Sequence, residues 1–323
     1  MTDNKKKALH YRRAEFLNSK SNLQTLLSAA LVKLSLVIDR EEDLSSNNTY
    51  FRLINTYTKK LNLEFGDLIT YETGTNKLLV TMNKNIAALN IQQLQPPKVN
   101  NQNTEFLDGH LFYGIKDNHV VVMQSSLRLK DLEAHLNWLL WESEVLPNTD
   151  RLELIDSPKP EVRERIEKSS PVKSIFIGAP VLDTHHSADE NVVKKETVRV
   201  AKSGIGARVI EAFLGKDEFE KLNLENAIDG NLKVALEITY DRTTSKGGQQ
   251  VINSLARAFR HVDAEDFAIK VPGVGLLKGS DLKLSDNITV VTHNGVVDAN
   301  DLLIKMNAWL TSLIERDLVS ATT

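Results

Sequence analysis

The segment from residue 109 to residue 141 constrains the fold more than any other part of the sequence. Apolar side chains dominate residues 109–115 and 119–123, and the Lys116-Asp117-Asn118 segment between them has the composition of a turn. This arrangement predicts a β-hairpin. Over residues 129–141 the apolar spacing changes to a helical period. A hairpin followed at once by a helix is typical of α+β folds.

The rest of the chain has a similar mixture of elements. Helices are predicted over residues 23–34, with Ser21 or Asn22 as the N-cap, and over residues 249–261 and 300–315. Residues 65–71 and 78–82 predict a second hairpin. Further strands are predicted over residues 174–177, 198–201, 232–240, 267–271, 281–284 and 287–292. The irregular order favours an α+β fold with antiparallel hairpins and packed helices.

Prolines and serines cluster near the middle of the chain, at Pro158, Pro160, Ser169, Ser170 and Pro171. Such a cluster is typical of a linker. A chain of 323 residues is long enough for two domains with separate cores. We therefore predict an N-terminal α+β domain over residues 1–150, a linker over 151–172 and a C-terminal α+β domain over 173–323.

The charge balance limits the possible partners. The formal net charge is -3, so a nucleic-acid partner requires basic side chains concentrated on one face. Cysteine is absent, which fits a reducing compartment and removes thiolate chemistry. The N-terminus carries no apolar signal segment, and the longest apolar stretch, residues 29–38, is too short to cross a bilayer. We expect a cytoplasmic protein without direct membrane insertion.

The strongest candidate for phosphate binding lies in residues 238–250, a strand, a polar loop and a helix start. The loop contributes Arg242 and Lys246 together with hydroxyls and two glycines. On the predicted helix that follows, Arg257 and Arg260 lie on the face opposite the apolar one. Such a patch suits contacts to a nucleic-acid backbone. A solvated polar helix face explains the same pattern, and both interpretations stay open.

Weaker candidates surround two glycine-rich turns. Lys202 and Arg208 flank a Gly-X-Gly loop at residues 204–206, where a helix is predicted to begin. That loop suits a phosphate, but it lacks the rest of a nucleotide motif, and a tight turn is the more common explanation. Lys270 and Lys278 lie near the ends of a glycine-rich connection, residues 272–280. It predicts a contact loop or, more simply, a hairpin turn.

Arg12 and Arg13 belong to a basic segment between residues 5 and 20. A basic arm that contacts nucleic acid would have this composition. Short basic segments at chain ends are, however, more often simply solvated.

No catalytic motif emerges, so we predict a binding protein without catalytic residues, metal or cofactor. Glu237 and Asp241 near Lys246 are the closest approach to a magnesium nuclease site. His185-His186 with Asp189 and Glu190 does not match a zinc template. A metal-dependent nuclease or a nucleotide-processing enzyme is the alternative function.

In the order of its elements, the chain resembles the RexA family of phage-exclusion proteins. The resemblance rests, in chain order, on a basic entry, a helix, two hairpins, a second helix, a glycine turn with its helix and a late strand–helix pair. These elements lie at residues 11–13, 22–27, 71–84, 109–115, 127–140, 207–214 and 232–260. The segment 158–191 departs from the pattern. KwaB-like phage-defence proteins are similar at the same coarse level.

The resemblance implies a dimeric cytoplasmic protein that binds double-stranded DNA without sequence preference. Such a protein would act as a sensor that signals to a membrane effector in phage exclusion, a form of abortive infection. The resemblance transfers no catalytic residue and no DNA contact. The basic positions above come from the charge pattern alone.

Overall fold

The computed structural model describes residues 2–81, 90–100, 102–158, 160–167, 173–180, 183–185, 199–201, 233–239 and 267–319. The chain divides into two compact units. The larger unit combines Met1–Ser157 with Leu284–Thr323, and the smaller unit is Pro158–Lys283. All described strand pairings are antiparallel, and the mixture of sheets and helices confirms the predicted α+β class.

A nine-stranded sheet organises the larger unit. Its strands are β1 (Thr2–Phe16), β2 (Glu42–Asp43), β3 (Tyr50–Lys60), β4 (Leu63–Glu72), β7 (Leu107–Lys116), β8 (His119–Gln124), β9 (Leu152–Ile155), β16 (Ser285–His293) and β17 (Val296–Val297). They lie in the order β17-β16-β1-β8-β7-β4-β3-β2, and β9 also pairs with β1. A separate ribbon pairs β5 (Lys77–Thr81) with β6 (Asn90–Leu94).

Helices cover both faces of the nine-stranded sheet. Helices α1 (Leu23–Lys33) and α2 (Leu129–Glu142) pack on one face, over a core that includes Leu68 and Leu111. The C-terminal helix α5 (Ala299–Glu315) packs on the other face, with Leu9 and Val290 in its core. Two hydrophobic cores on opposite faces explain why the central strand β4 is buried along most of its length.

The smaller unit contains a four-stranded sheet in the order β13-β10-β14-β15. Its strands are β10 (Ser174–Pro180), β13 (Lys233–Thr239), β14 (Phe267–Val271) and β15 (Gly275–Lys278). Helix α3 (Pro160–Glu167) contributes Val162 to the core under this sheet, and the short helix α4 (Gly279–Leu282) follows β15. A further ribbon pairs β11 (Asp183–His185) with β12 (Arg199–Ala201).

The bounds of the two compact units differ from those predicted for the domains because β1 pairs with β16 over nine residue pairs, from Thr2↔His293 to His10↔Ser285. This pairing places the last part of the chain, from Leu284 onward, in the larger unit. Strand β9, predicted as part of a linker, also belongs to the larger unit through its pairing with β1.

Most predicted elements inside the described ranges are confirmed, including the hairpin β7–β8 and helices α1, α2 and α5. Asn22 is the N-cap of α1, because its side chain accepts a hydrogen bond from the Thr25 N–H. The hairpin joining residues 65–71 to 78–82 is wrong. Strand β4 pairs instead with β3 and β7, and β5 pairs with β6.

Two turns explain why one hairpin and one strand were predicted wrongly. The β3–β4 turn uses Leu61 and Asn62, both with positive φ, and lacks the glycine that normally marks such a hairpin. The strand predicted over residues 281–284 is also wrong. Helix α4 occupies Gly279–Leu282, and the Asp281 carboxylate accepts a hydrogen bond from the Lys278 N–H at the start of this turn.

Candidate nucleic-acid interface

The four-stranded sheet of the smaller unit has one apolar face and one mixed face. Ile175 and Ile177 on β10, and Ile269 and Val271 on β14, point into the core. Because successive side chains of a strand alternate between the two faces, the residues between them point the other way. We call that opposite side the outer face, and it contains two of the predicted nucleic-acid contacts, Lys270 and Lys278.

Strand register places the outer-face side chains in two rows across the sheet. The first row is Glu237, Phe176, Ala268 and Lys278, and the second is Thr239, Ser174, Lys270 and Leu276. Lys270 and Lys278 are diagonal neighbours on adjacent strands, so their β-carbons are separated by about 7–8 Å. Both side chains are exposed. Their long stems allow the two amino groups to reach separate anionic groups.

The turn between β14 and β15 fixes this register. Gly273 and Gly275 have φ values of 79° and 100°, a conformation that side chains other than glycine rarely adopt. The Val274 carbonyl accepts a hydrogen bond of 2.9 Å from Arg165 on α3. The glycine-rich connection is therefore a hairpin turn, the simpler of the two predicted alternatives, and it holds both lysines on one face.

Among the residues that the structure describes, few carboxylates lie near these two lysines. Within the described ranges, no carboxylate forms an ion pair with either amino group. Glu237 lies three strand spacings from Lys278, which is about 14 Å. At that distance the charge of Glu237 is largely screened in physiological salt. The Asp281 carboxylate accepts a hydrogen bond from the backbone N–H of Lys278, not from its amino group. Near Lys270 and Lys278, the described part of the outer face is therefore positively charged.

Hydroxyl and aromatic groups share this face. Thr239 is exposed and Phe176 is half-buried. Ser174 is only 1% exposed, and its hydroxyl has no hydrogen-bond partner among the described residues. Hydroxyls and lysine amino groups are common donors to phosphate oxygens. Among the described residues, Thr239 and the two lysines are the exposed donors of this face.

The structure places Arg12 differently from the prediction. Arg12 is 3% exposed, and its guanidinium forms an ion pair of 2.8 Å with Asp156. Burial lowers the pKa of Arg12, while Asp156 and Glu133 raise it. Its side chain is held inside the fold, under α2, and offers almost no surface to a nucleic acid.

The other predicted basic positions divide into two groups. Arg13 is half-buried on β1, directly opposite His119 on β8. The remaining positions lie outside the described residues and stay predictions: Lys202, Arg208, Arg242, Lys246, Arg257 and Arg260. The predicted helix over residues 249–261 and the Gly-X-Gly helix start also lie there.

Sequence reasoning missed a polar cluster at the end of the nine-stranded sheet. Arg52 on β3 donates two hydrogen bonds of 3.0 Å to the two oxygens of Glu42, and His135 Nδ1 on α2 donates a hydrogen bond of 2.9 Å to the same carboxylate. These bonds lower the pKa of Glu42 despite its burial, which acts to raise it. The cluster joins β2, β3 and α2, and therefore stabilises the fold.

A second missed cluster lies at the irregular segment of β3. The Asp67 carboxylate accepts hydrogen bonds from the Thr56 N–H at 2.8 Å and from Asn55 at 3.2 Å, and His110 lies 3.1 Å away. The hydrogen bonds lower the pKa of Asp67 against the opposing effect of burial. Because the register shifts between Ile54 and Tyr57, the backbone there needs such a fixed acceptor. An interrupted alternation in β3 was the only available sequence signal.

The alternative enzymatic interpretation has few described residues to support it. Glu237 is exposed on the outer face, whereas Asp241 and Lys246 lie outside the described ranges. In the part of the chain that the structure describes, no three His, Asp or Glu side chains form a group that could hold a metal ion. His185 lies on β11, and its predicted neighbours His186, Asp189 and Glu190 are not described.

None of the helices in the described ranges is long and apolar enough to cross a membrane. Comparison with family models, curated proteins and solved structures finds no match to this chain. The resemblance to RexA-type and KwaB-like proteins therefore stays a prediction.

Proposed function

We propose that the smaller unit binds the phosphate backbone of double-stranded DNA without sequence preference, through its outer face. The observation that carries this proposal is the pair Lys270 and Lys278, exposed side by side on one sheet face without a carboxylate partner among the described residues. Backbone binding needs cations and hydroxyl donors but no pattern of base-reading groups.

The distribution of predicted cations supports the same assignment. Apart from Arg12 and Arg13, all the predicted contacts belong to the smaller unit by their position in the sequence. Lysine suits this role because its amino group acts as a flexible point charge, and it selects for charge rather than for base identity. The proposed ligand is therefore duplex DNA of any sequence.

The biological role that we propose follows from the resemblance to phage-exclusion proteins. In that role the protein is a homodimer that senses DNA during phage infection and signals to a membrane effector protein. DNA binding by the outer face would be the sensing step. The DNA-binding proposal stands on the lysines and does not depend on the signalling role.

Fluorescence anisotropy with a labelled duplex of random sequence tests the proposal. The double variant Lys270→Glu/Lys278→Glu should bind about 30-fold more weakly at low salt, from about 1 kcal/mol at each exposed contact. A charge-matched control, Lys130→Glu together with Lys60→Glu, changes two exposed lysines of the larger unit. Equal losses in both double variants would reduce the effect to net charge and contradict the proposal.

A further inference from the structure

The N-terminal half of β1 forms an open edge of the nine-stranded sheet. Strand β8 pairs with β1 only from His10 to Arg13. Before His10, β1 pairs with β16 alone. Residues 2–6 and Ala8 are exposed, so the other edge of this segment is uncovered. We call residues 4–8 of this segment the open edge.

The hydrogen-bond pattern identifies which backbone groups face outward. The Tyr11 N–H donates to the Leu284 carbonyl at 2.9 Å, on the β16 side. In an antiparallel pair the direction alternates from residue to residue, so Lys7 and Lys5 also bond to β16. Lys6 and Ala8 therefore point their N–H and C=O groups away from β16.

Contacts on the far side of β16 agree with this alternation. The Val291 N–H donates to the Asp301 carboxylate at 2.7 Å, and the Thr289 carbonyl accepts a hydrogen bond from Lys305. Val291 and Thr289 are opposite Asn4 and Lys6 in the register. Because their backbone groups point toward α5, those of Asn4 and Lys6 point to the opposite edge.

The outward groups are available for a further strand. The strand register assigns no described partner strand to the outward backbone groups of Lys6 and Ala8. The Asn4 N–H is already bonded to the Asp3 carboxylate at 2.8 Å. The open edge therefore offers a short ladder that ends near Asn4.

The charge of the open edge restricts what can pair with it. Lys5, Lys6 and Lys7 lie opposite Val290, Thr289 and Ile288, which are uncharged. Among the described side chains, none forms an ion pair with these three lysines. Lys6 points to one face and Lys5 and Lys7 point to the other, so both faces of an added strand meet positive charge.

We propose that the open edge binds an extended, acidic peptide segment of a partner protein as an added β-strand. Main-chain hydrogen bonds to Lys6 and Ala8 would supply affinity, and carboxylates on both faces of the peptide would meet the three lysines. A second copy of the same edge is disfavoured because it brings six lysines together. The site belongs to the larger unit and is independent of the proposed DNA-binding face.

The backbone direction provides a sharp test, because a proline at residue 6 removes an outward N–H without removing a bond to β16. The probe is a capped peptide of about eight residues, a length typical of a strand, in which Glu-Glu and Val-Val pairs alternate so that both faces carry carboxylates. We expect Lys6→Thr to bind the peptide slightly more weakly than the wild-type protein does, because one positive charge is lost. Lys6→Pro should bind at least about tenfold more weakly than Lys6→Thr, from the lost ladder.

Amide hydrogen exchange provides the second readout. With the peptide bound, the amides of Lys6 and Ala8 should be protected, while those of Lys5 and Lys7 already bond to β16. The same peptide with Lys in place of each Glu should not bind. If Lys6→Pro fails to fold, Lys5→Glu/Lys7→Glu tests the same edge through charge, and we expect it to abolish binding of the acidic peptide.

Three results would overturn the proposal. The first is no binding of the acidic peptide to the wild-type protein, and the second is equal affinity of Lys6→Pro and Lys6→Thr. The third is displacement of the peptide by duplex DNA that binds both variants equally. That result would make the edge a charge-dependent nucleic-acid contact instead.

Discussion

Arg12 and Lys270 are both cations on β-strands, and the sequence predicts the same role for both, yet their surroundings are opposite. Arg12 is buried in the larger unit, with its guanidinium bonded to Asp156 and to the Tyr11 carbonyl. Lys270 is exposed on the outer face of the smaller unit, next to Lys278. Basic residues become candidates for ligand binding only when the fold leaves them without a partner.

Other interior arginines follow the pattern of Arg12. Arg40 is 3% exposed and donates hydrogen bonds to the carbonyls of Ser35 and Ile54, at 2.7 and 3.1 Å. Arg52 is bonded to Glu42 through two nitrogens. Each guanidinium links separate segments of the chain, because its planar array of donors suits several fixed acceptors at once.

The largest expected effect comes from breaking an interior pair. Arg12→Ala leaves Asp156 and Glu133 beside an empty space, so we expect the free energy of unfolding to fall by about 3–5 kcal/mol. Urea denaturation followed by circular dichroism measures this change. Lys6→Ala on the exposed half of the same strand should cost less than about 0.5 kcal/mol. A loss below about 1 kcal/mol for Arg12→Ala would show that the ion pair is not structural.

His119 is a buried base that forms no ion pair with a carboxylate among the described residues, and it sharpens the comparison. His119 is 1% exposed and bonded to the Tyr11 hydroxyl at 2.7 Å. Burial, followed by the charge of Arg13, lowers the pKa of His119 to about 4. Below its unfolded pKa of about 6.5, the unfolded chain binds a proton that the folded protein excludes, so acid favours unfolding.

The wild-type protein should therefore lose about 2 kcal/mol of stability through His119 as the pH falls from 7 to 5. In His119→Gln this part of the pH dependence should disappear. Buried His135 also has a lowered pKa and contributes with the same sign in both proteins. Denaturation midpoints across this pH range measure the difference, and parallel curves for the two proteins would refute the role of His119.

A half-buried, paired lysine provides the smallest expected effect. Lys305 lies 2.9 Å from Asp301, one helical turn earlier on α5. Because Lys305 also donates a hydrogen bond to the Thr289 carbonyl, Lys305→Gln should lower the free energy of unfolding by about 1 kcal/mol. It should also leave DNA affinity unchanged. A loss of DNA affinity comparable to that of the Lys270 and Lys278 variants would erase the distinction between paired and unpaired cations.

Local periodicity predicted the elements far better than their partners. The β7–β8 hairpin and helix α5 are strongly patterned, and both are confirmed. The pairing of β1 with β16 joins strands almost 300 residues apart, and neither strand carries a signal for the other. The predicted domain boundaries differ for that reason.

The candidate site shows the same difference between predicting a strand and predicting its partner. Placing Lys270 and Lys278 on one face requires the register of the hairpin, which Gly273 and Gly275 fix through their positive φ. Arg12 and Arg13 are adjacent in sequence, and their separation into buried and half-buried positions follows from strand alternation. Because the N-terminal segment was predicted as a basic arm rather than as a strand, its alternation could not be used.

The salt dependence of DNA binding tests the central claim most directly. Each lysine–phosphate contact releases counterions, so the slope of log affinity against log salt concentration changes by about 0.9 per contact. Lys270→Gln/Lys278→Gln should lower the magnitude of that slope by about 1.8, whereas Lys130→Gln should leave it unchanged. An unchanged slope in the double variant, or no binding of duplex DNA by the wild-type protein at low salt, would contradict the account.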